Sequence, residues 1–123
     1  MSKAFIPAIA ALVLTIGQQV YAAELFSPPI LLTAAEEFGC HIVNSGPVDR
    51  KIKIDIMRAD GTIKGTTGER NLPTLNSDLI TTFSGGVGQL YCRFDVKGNA
   101  KDFRAAAQVK EPGVGTKVIV PAE

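Results

Sequence analysis

Gln89-Leu90-Tyr91-Cys92-Arg93-Phe94-Asp95-Val96 decides the fold. Apolar side chains take every second position (Leu90, Cys92, Phe94, Val96). Gln89, Tyr91, Arg93 and Asp95 take the others. A strand turns successive side chains to opposite faces, so this period of two means one buried face and one wet face. Residues 51–58 repeat it, with Ile52, Ile54 and Ile56 against Lys51, Lys53 and Asp55, which places Asp55 on a solvated face. Ala59-Asp60-Gly61 follows as a hairpin turn, because Asp and Gly tolerate positive φ. Residues 62–67 return from it.

Outward from these two segments the chain is a series of short runs cut by Gly, Pro, Asn and Asp. Strands are expected over 30–33, 38–44, 79–84, 102–110 and 116–120. In the 102–110 strand, Phe103, Ala105, Ala107 and Val109 point inward. Residues 68–78, from Gly68 to Asp78, read as a polar loop. Such loops either bind something or simply cross between sheets. Thr33-Ala34-Ala35-Glu36-Glu37 is too short for a major helix, and its two carboxylates are expected on a surface turn. Seven to eight short strands with no helix specify an all-β, antiparallel β-sandwich.

Parity places both cysteines, Cys40 and Cys92, on inward faces. Two inward sulfurs on opposite sheets can form one inter-sheet disulfide. Closing so long a loop is worth roughly 4 kcal/mol in the chain-entropy picture. The alternative is a reactive pair, which would usually show C-x-x-C spacing in an exposed, electropositive setting.

The N-terminus reads as a cleaved signal peptide over residues 1–22. Lys3 is followed by the apolar run Ala4 to Ile16, then Gly17-Gln18-Gln19, then Val20-Tyr21-Ala22 before the cut. The apolar run is shorter than the roughly 20 residues of a spanning helix. No Cys follows the cut, so no lipid anchor is expected. What remains is one domain, 23–123. Loss of Lys3 brings it to formal neutrality from a net +1 for the whole chain. Neutrality argues against nucleic acid and against electrostatic attachment to anionic lipid. Membrane insertion is not expected after signal cleavage, and the domain is expected to be monomeric.

Cys40-His41-Ile42-Val43-Asn44, Ile54-Asp55-Ile56 before Asp60-Gly61, Leu90-Tyr91-Cys92-Arg93-Phe94 and Phe103-Arg104-Ala105 resemble a group of small exported bacterial proteins. Those are immunoglobulin-like or fibronectin-like sandwiches of unknown function. The resemblance covers about residues 38–109. It implies a bacterial source and a periplasmic or extracellular location, and no catalytic residues.

Residue chemistry excludes several classes. His41 is the single histidine, so blue-copper and zinc ligand sets cannot be assembled. A catalytic triad could use only His41, and no nucleophile elbow is present. Gly85-Gly86-Val87-Gly88 lacks the Lys-Ser/Thr and helix of a phosphate loop. No enzyme, metal or cofactor is expected.

The strands 89–96 and 102–110 are expected to pair as a hairpin around Gly98-Asn99. Their outward face would carry Tyr91, Arg93, Arg104 and Gln108, which reads as a solvated sheet face or, since Tyr and Arg are favoured at binding hot spots, as a binding face. Charge favours one of two registers of that hairpin, against the local turn signal of Gly98-Asn99, which favours the other. A four-residue loop sets Lys97 against Asp102 and Asp95 against Arg104. A two-residue turn would set Asp95 against Asp102 and Arg93 against Arg104. The function expected is therefore a non-enzymatic exported domain with a binding or structural role in the cell envelope, its partner a protein or glycan. The alternatives are a surface-fibre subunit assembled by strand exchange and a small protease or hydrolase inhibitor.

Overall fold

The computed structural model describes residues 22–33 and 35–123. The expected signal peptide lies outside the described residues, apart from Ala22. Among the described residues there are nine strands: β1 (Ala23–Phe26), β2 (Ile30–Leu32), β3 (Glu37–Asn44), β4 (Arg50–Arg58), β5 (Ile63–Leu72), β6 (Ser77–Phe83), β7 (Gly88–Val96), β8 (Phe103–Glu111) and β9 (Gly115–Pro121). They form two antiparallel sheets. The first runs β1-β7-β4-β5, with β2 also on the β7 edge. The second runs β6-β3-β8-β9.

The alternation of each central strand sets the packing. Ile52, Ile54 and Ile56 of β4, with Phe94 and Val96 of β7, face Phe38 and Ile42 of β3 and Val109 of β8, all buried. Cys40 on β3 and Cys92 on β7 meet across this core as a disulfide with a Cα–Cα distance of 5.7 Å. The fold is a β-sandwich with one inter-sheet disulfide.

The expected hairpin between β7 and β8 is absent. β8 pairs with β3 and β9, and β7 pairs with β1, β2 and β4, so the two strands lie in different sheets. Residues 97–102 are a crossover. Asn99 accepts from the Lys101 backbone N–H to open a 3-10 turn over Ala100–Asp102, and the Asp102 carbonyl is held by both the N–H and hydroxyl of Ser45. Neither expected register exists. Asp95 faces Lys53 and Glu24 instead. In immunoglobulin constant domains the strand after the second cysteine stays in that cysteine's sheet. Here it joins the sheet of the first, and β1 and β2 occupy the vacated edge.

Two further boundaries differ from expectation. β1 was not anticipated. It leads into Ser27-Pro28-Pro29, where prolines lack the N–H a ladder needs. Ser27 compensates: its N–H donates to the Cys92 carbonyl and its hydroxyl accepts from the Cys92 N–H. The long loop expected from Gly68 to Asp78 is mostly strand. β5 continues to Leu72 and β6 begins at Ser77, leaving 73–76 as the connection. The turn at Gly61, with φ 86°, is as expected.

Four joints close the ends and the open side. Asn44, fully buried, donates to the Val48 and Leu72 carbonyls and accepts from Gly46. Phe26 and Glu123 exchange two backbone hydrogen bonds, joining β1 to the end of the β9 segment. Glu36 accepts from the Thr33 N–H and hydroxyl and pairs with Lys117 of β9 at 3.1 Å. Glu36 is thus buried within its loop, not on a surface turn as expected. The Arg70–Asp78 pair links β5 to β6.

Candidate binding face

β4 and β7 lie side by side, so their outward residues form rows across the first sheet. One row runs Glu24, Asp95, Lys53, Glu69. The next runs Phe26, Arg93, Asp55, Thr66. Tyr91 and Met57 sit in the row beyond. The expectation of a solvated face fails at Asp55, whose side chain is 0% exposed. Met57 on the same face is also covered.

Neighbouring charged side chains cover Asp55. Arg93 donates from Nε (3.2 Å) and Nη2 (2.8 Å) to Asp55 Oδ2. Lys53 Nζ stands 3.7 Å from the same oxygen and 3.3 Å from Asp95 Oδ2, bridging the two rows. Asp55 Oδ1 has no hydrogen-bond partner. Thr66 lies directly opposite Asp55 on β5.

Burial pushes the Asp55 carboxyl up. Thr66, the two Arg93 hydrogen bonds and the Lys53 and Arg93 charges outweigh burial and hold the group below its ordinary value. The same bonds, opposed by partial burial, push Arg93 up. Arg93 is thereby a fixed cation, 28% exposed, with Phe26 beside it on β1. At the Lys53 row a recess of about 320 Å³ has among its lining residues Glu24, Lys51, Lys53, Glu69, Asp95 and Lys97, three acids and three bases.

The four residues expected to share a binding face do not. Tyr91 and Arg93 lie on the outer face of the first sheet. Arg104 and Gln108 lie on the outer face of the second. Arg104 donates to the carbonyls of Lys101 and Phe103. Gln108 lies over Gly39, where a Cβ would come within 3.0 Å of its Cγ. Phe26, Lys53, Asp55 and Asp95 were missed as site residues. Period-two parity already put Lys53, Asp55, Arg93 and Asp95 outward, but only the β4–β7 register brings them together. His41 lies on the outer face of the second sheet, beside Leu79 and Ala106. Among the described residues, no group of three or more His, Cys, Asp or Glu is placed to hold a metal ion.

No family model and no curated protein matches the chain. A crystal structure of Thermotoga maritima 1070 is similar, with a TM-score of 0.57 over 81% of this chain and 91% of that one, at 10% identity. At that identity the likeness shows the fold alone.

Proposed function

We propose that this chain is a non-enzymatic exported domain of the cell envelope that binds a protein or glycan through the outer face of its first sheet. The observation that carries the reading is Arg93 immobilised by a buried carboxylate, with Phe26 (43% exposed) beside it and Tyr91 on the same strand. A rigid Arg among aromatic side chains loses little conformational freedom on binding and matches the composition of interface hot spots. The equal mix of acids and bases in the adjoining recess suits a polar, uncharged or zwitterionic surface better than a polyanion. Export is supported by the position of the expected cut, just before Ala23, the first residue of β1. The disulfide fits an oxidising compartment, periplasmic or extracellular. Capture from envelope extract and glycan-array binding, each compared with Tyr91→Ala, test the reading. Loss of the captured species in the variant is expected, and equal capture by both proteins rejects it.

One observation favours a second reading, an inhibitor. The 73–76 loop presents Leu75 at 81% exposure. Six hydrogen bonds hold that loop, including Leu75 N–H to the Asn44 carbonyl and Thr74 N–H to Asp49. A fixed apolar side chain of this kind suits a deep pocket. Inhibition of a panel of serine proteases, lost in Leu75→Asp, is the test. Strand exchange into a fibre is disfavoured by the Phe26–Glu123 and Glu36–Lys117 joints, which close both ends of the seam where an incoming strand would enter.

A further inference from the structure

We propose that the outer face of the second sheet is a self-association surface occupied by a second copy of this chain. The proposal goes beyond the binding face above and uses the opposite side of the sandwich.

The registers of β6, β3, β8 and β9 define the rows of this face. The central rows are Leu79, His41, Ala106, Pro121 and Thr81, Gly39, Gln108, Ile119. Neither contains an Asp, Glu, Lys or Arg. The large apolar groups stand on the edge strands, with Leu79 43% and Ile119 65% exposed, while the middle strands carry Gly39 and Ala106. The face is therefore a shallow trough with apolar rims. The outer face of the first sheet, built of charged rows, has the opposite character.

Formal charge appears only at the two ends. Glu37 and Lys110 lie side by side in the row of Phe83. Arg104, at the other end, is turned onto backbone carbonyls. An uncharged centre has no electrostatic feature that selects a differently charged partner, and it does not repel itself. An adjacent Glu–Lys pair is self-complementary when two copies meet about a two-fold axis. The centre has no Trp, Tyr or Phe ring on which a sugar could stack, so a second protein face fits better than a glycan.

Area sets the strength. Four strands about 4.8 Å apart, each with about seven residues rising ~3.3 Å, present roughly 450 Å² per copy. A stable dimer buries about 800 Å² per partner. Face-to-face packing here would supply about half of that, which means a dimer that dissociates on dilution. The monomer expected from sequence is its dilute form.

Sedimentation equilibrium of the protein, purified after expression of the full chain, tests this between about 10 µM and 1 mM, a span of nearly 3 kcal/mol in association free energy. The average mass should climb from monomer toward dimer. Ile119→Lys and Leu79→Lys, on opposite rims and at exposed positions, should each raise the dissociation constant at least ten-fold. Gln89→Lys, on the other sheet, should leave it unchanged. A monomer at every concentration overturns the proposal. So does association that survives both rim variants, or that Gln89→Lys weakens to the same extent.

Discussion

Arg93 places two hydrogen bonds on a single oxygen of Asp55, a carboxylate that points away from the core yet has no solvent exposure. A charge on the wet side of a sheet normally remains wet. This one is sealed by its neighbours, so its removal or isolation has consequences that an exposed pair would not have. Arg93→Ala leaves the carboxylate buried beside Lys53 alone. We expect a loss of about 3 kcal/mol, the low end for breaking a buried pair, because Arg93 is partly exposed. Replacing both partners by leucine should recover much of it. Urea unfolding of the three proteins checks this, and a double variant no more stable than Arg93→Ala contradicts it.

The same carboxylate gives a pH dependence. Its folded pKa is depressed, so the unfolded state binds the proton more readily. Its contribution is fully present above the unfolded value of about 3.9 and is lost as pH falls through the lower folded value. Glu36 and Asp60 shift in the same direction: Glu36 through Thr33 and Lys117, Asp60 through Thr62. Stability should therefore fall below about pH 4. Asp55→Asn should flatten the fall, as read from unfolding midpoints across pH.

The disulfide yields a third expectation. Cys40 and Cys92, both fully buried, should resist thiol reagents until reduced. Cys92→Ala should lower stability by about 2–5 kcal/mol. Mass spectrometry after alkylation of the native protein reads the first part. Labelling without reduction would contradict it.

Leu75 adopts φ 64°, the one positive-φ non-glycine among the described residues. A left-handed conformation costs a non-glycine about 1–2 kcal/mol. Glycine removes that cost but returns about 0.5–1 kcal/mol in unfolded-state entropy. Leu75→Gly should therefore stabilise by up to about 1.5 kcal/mol. A destabilised variant in thermal unfolding would mean that Leu75 packs against the domain, contrary to its exposure.

Much of this architecture was legible in the sequence, and the misses have physical causes. β3, β4, β7 and β8 are half-buried strands with strict alternation, so Ile42, Ile54, Phe94 and Val109 announced their faces. β5 did not. It is an edge strand, exposed along much of its length, with Gly65 and Gly68 and shifts in register at Lys53/Asp55 and Ile56/Met57. At the first shift the Thr67 hydroxyl accepts from the Ile54 N–H. Nothing in such a polar run shows period two. Gly98-Asn99 did mark a turn, but local chemistry cannot say whether the chain returns to its own sheet or crosses to the other. The charge argument failed, since Asp95 faces the like charge of Glu24 on one side and a cation from outside the expected hairpin on the other. That cation is Lys53, more than forty positions away in sequence, and a hairpin argument considers only neighbours. The same non-local register hid the candidate face. Tyr91 and Arg93 could be singled out, but their companions Phe26, Lys53 and Asp55 come from two other strands.

Export is open to direct measurement. The protein recovered from outside the cytoplasm should begin at Ala23, and N-terminal mass spectrometry reads this. A product retaining Met1 in the membrane fraction would contradict it.

The central claim, that the outer face of the first sheet meets a partner, is tested most directly by site-specific photocrosslinking in the intact envelope. A photoreactive side chain replaces Tyr91 in one protein and Arg104, on the opposite sheet, in another. The account predicts a discrete, heavier adduct from position 91 and none of that mass from position 104. An adduct from 104 alone, or no adduct from 91 while the protein is folded and exported, would contradict it.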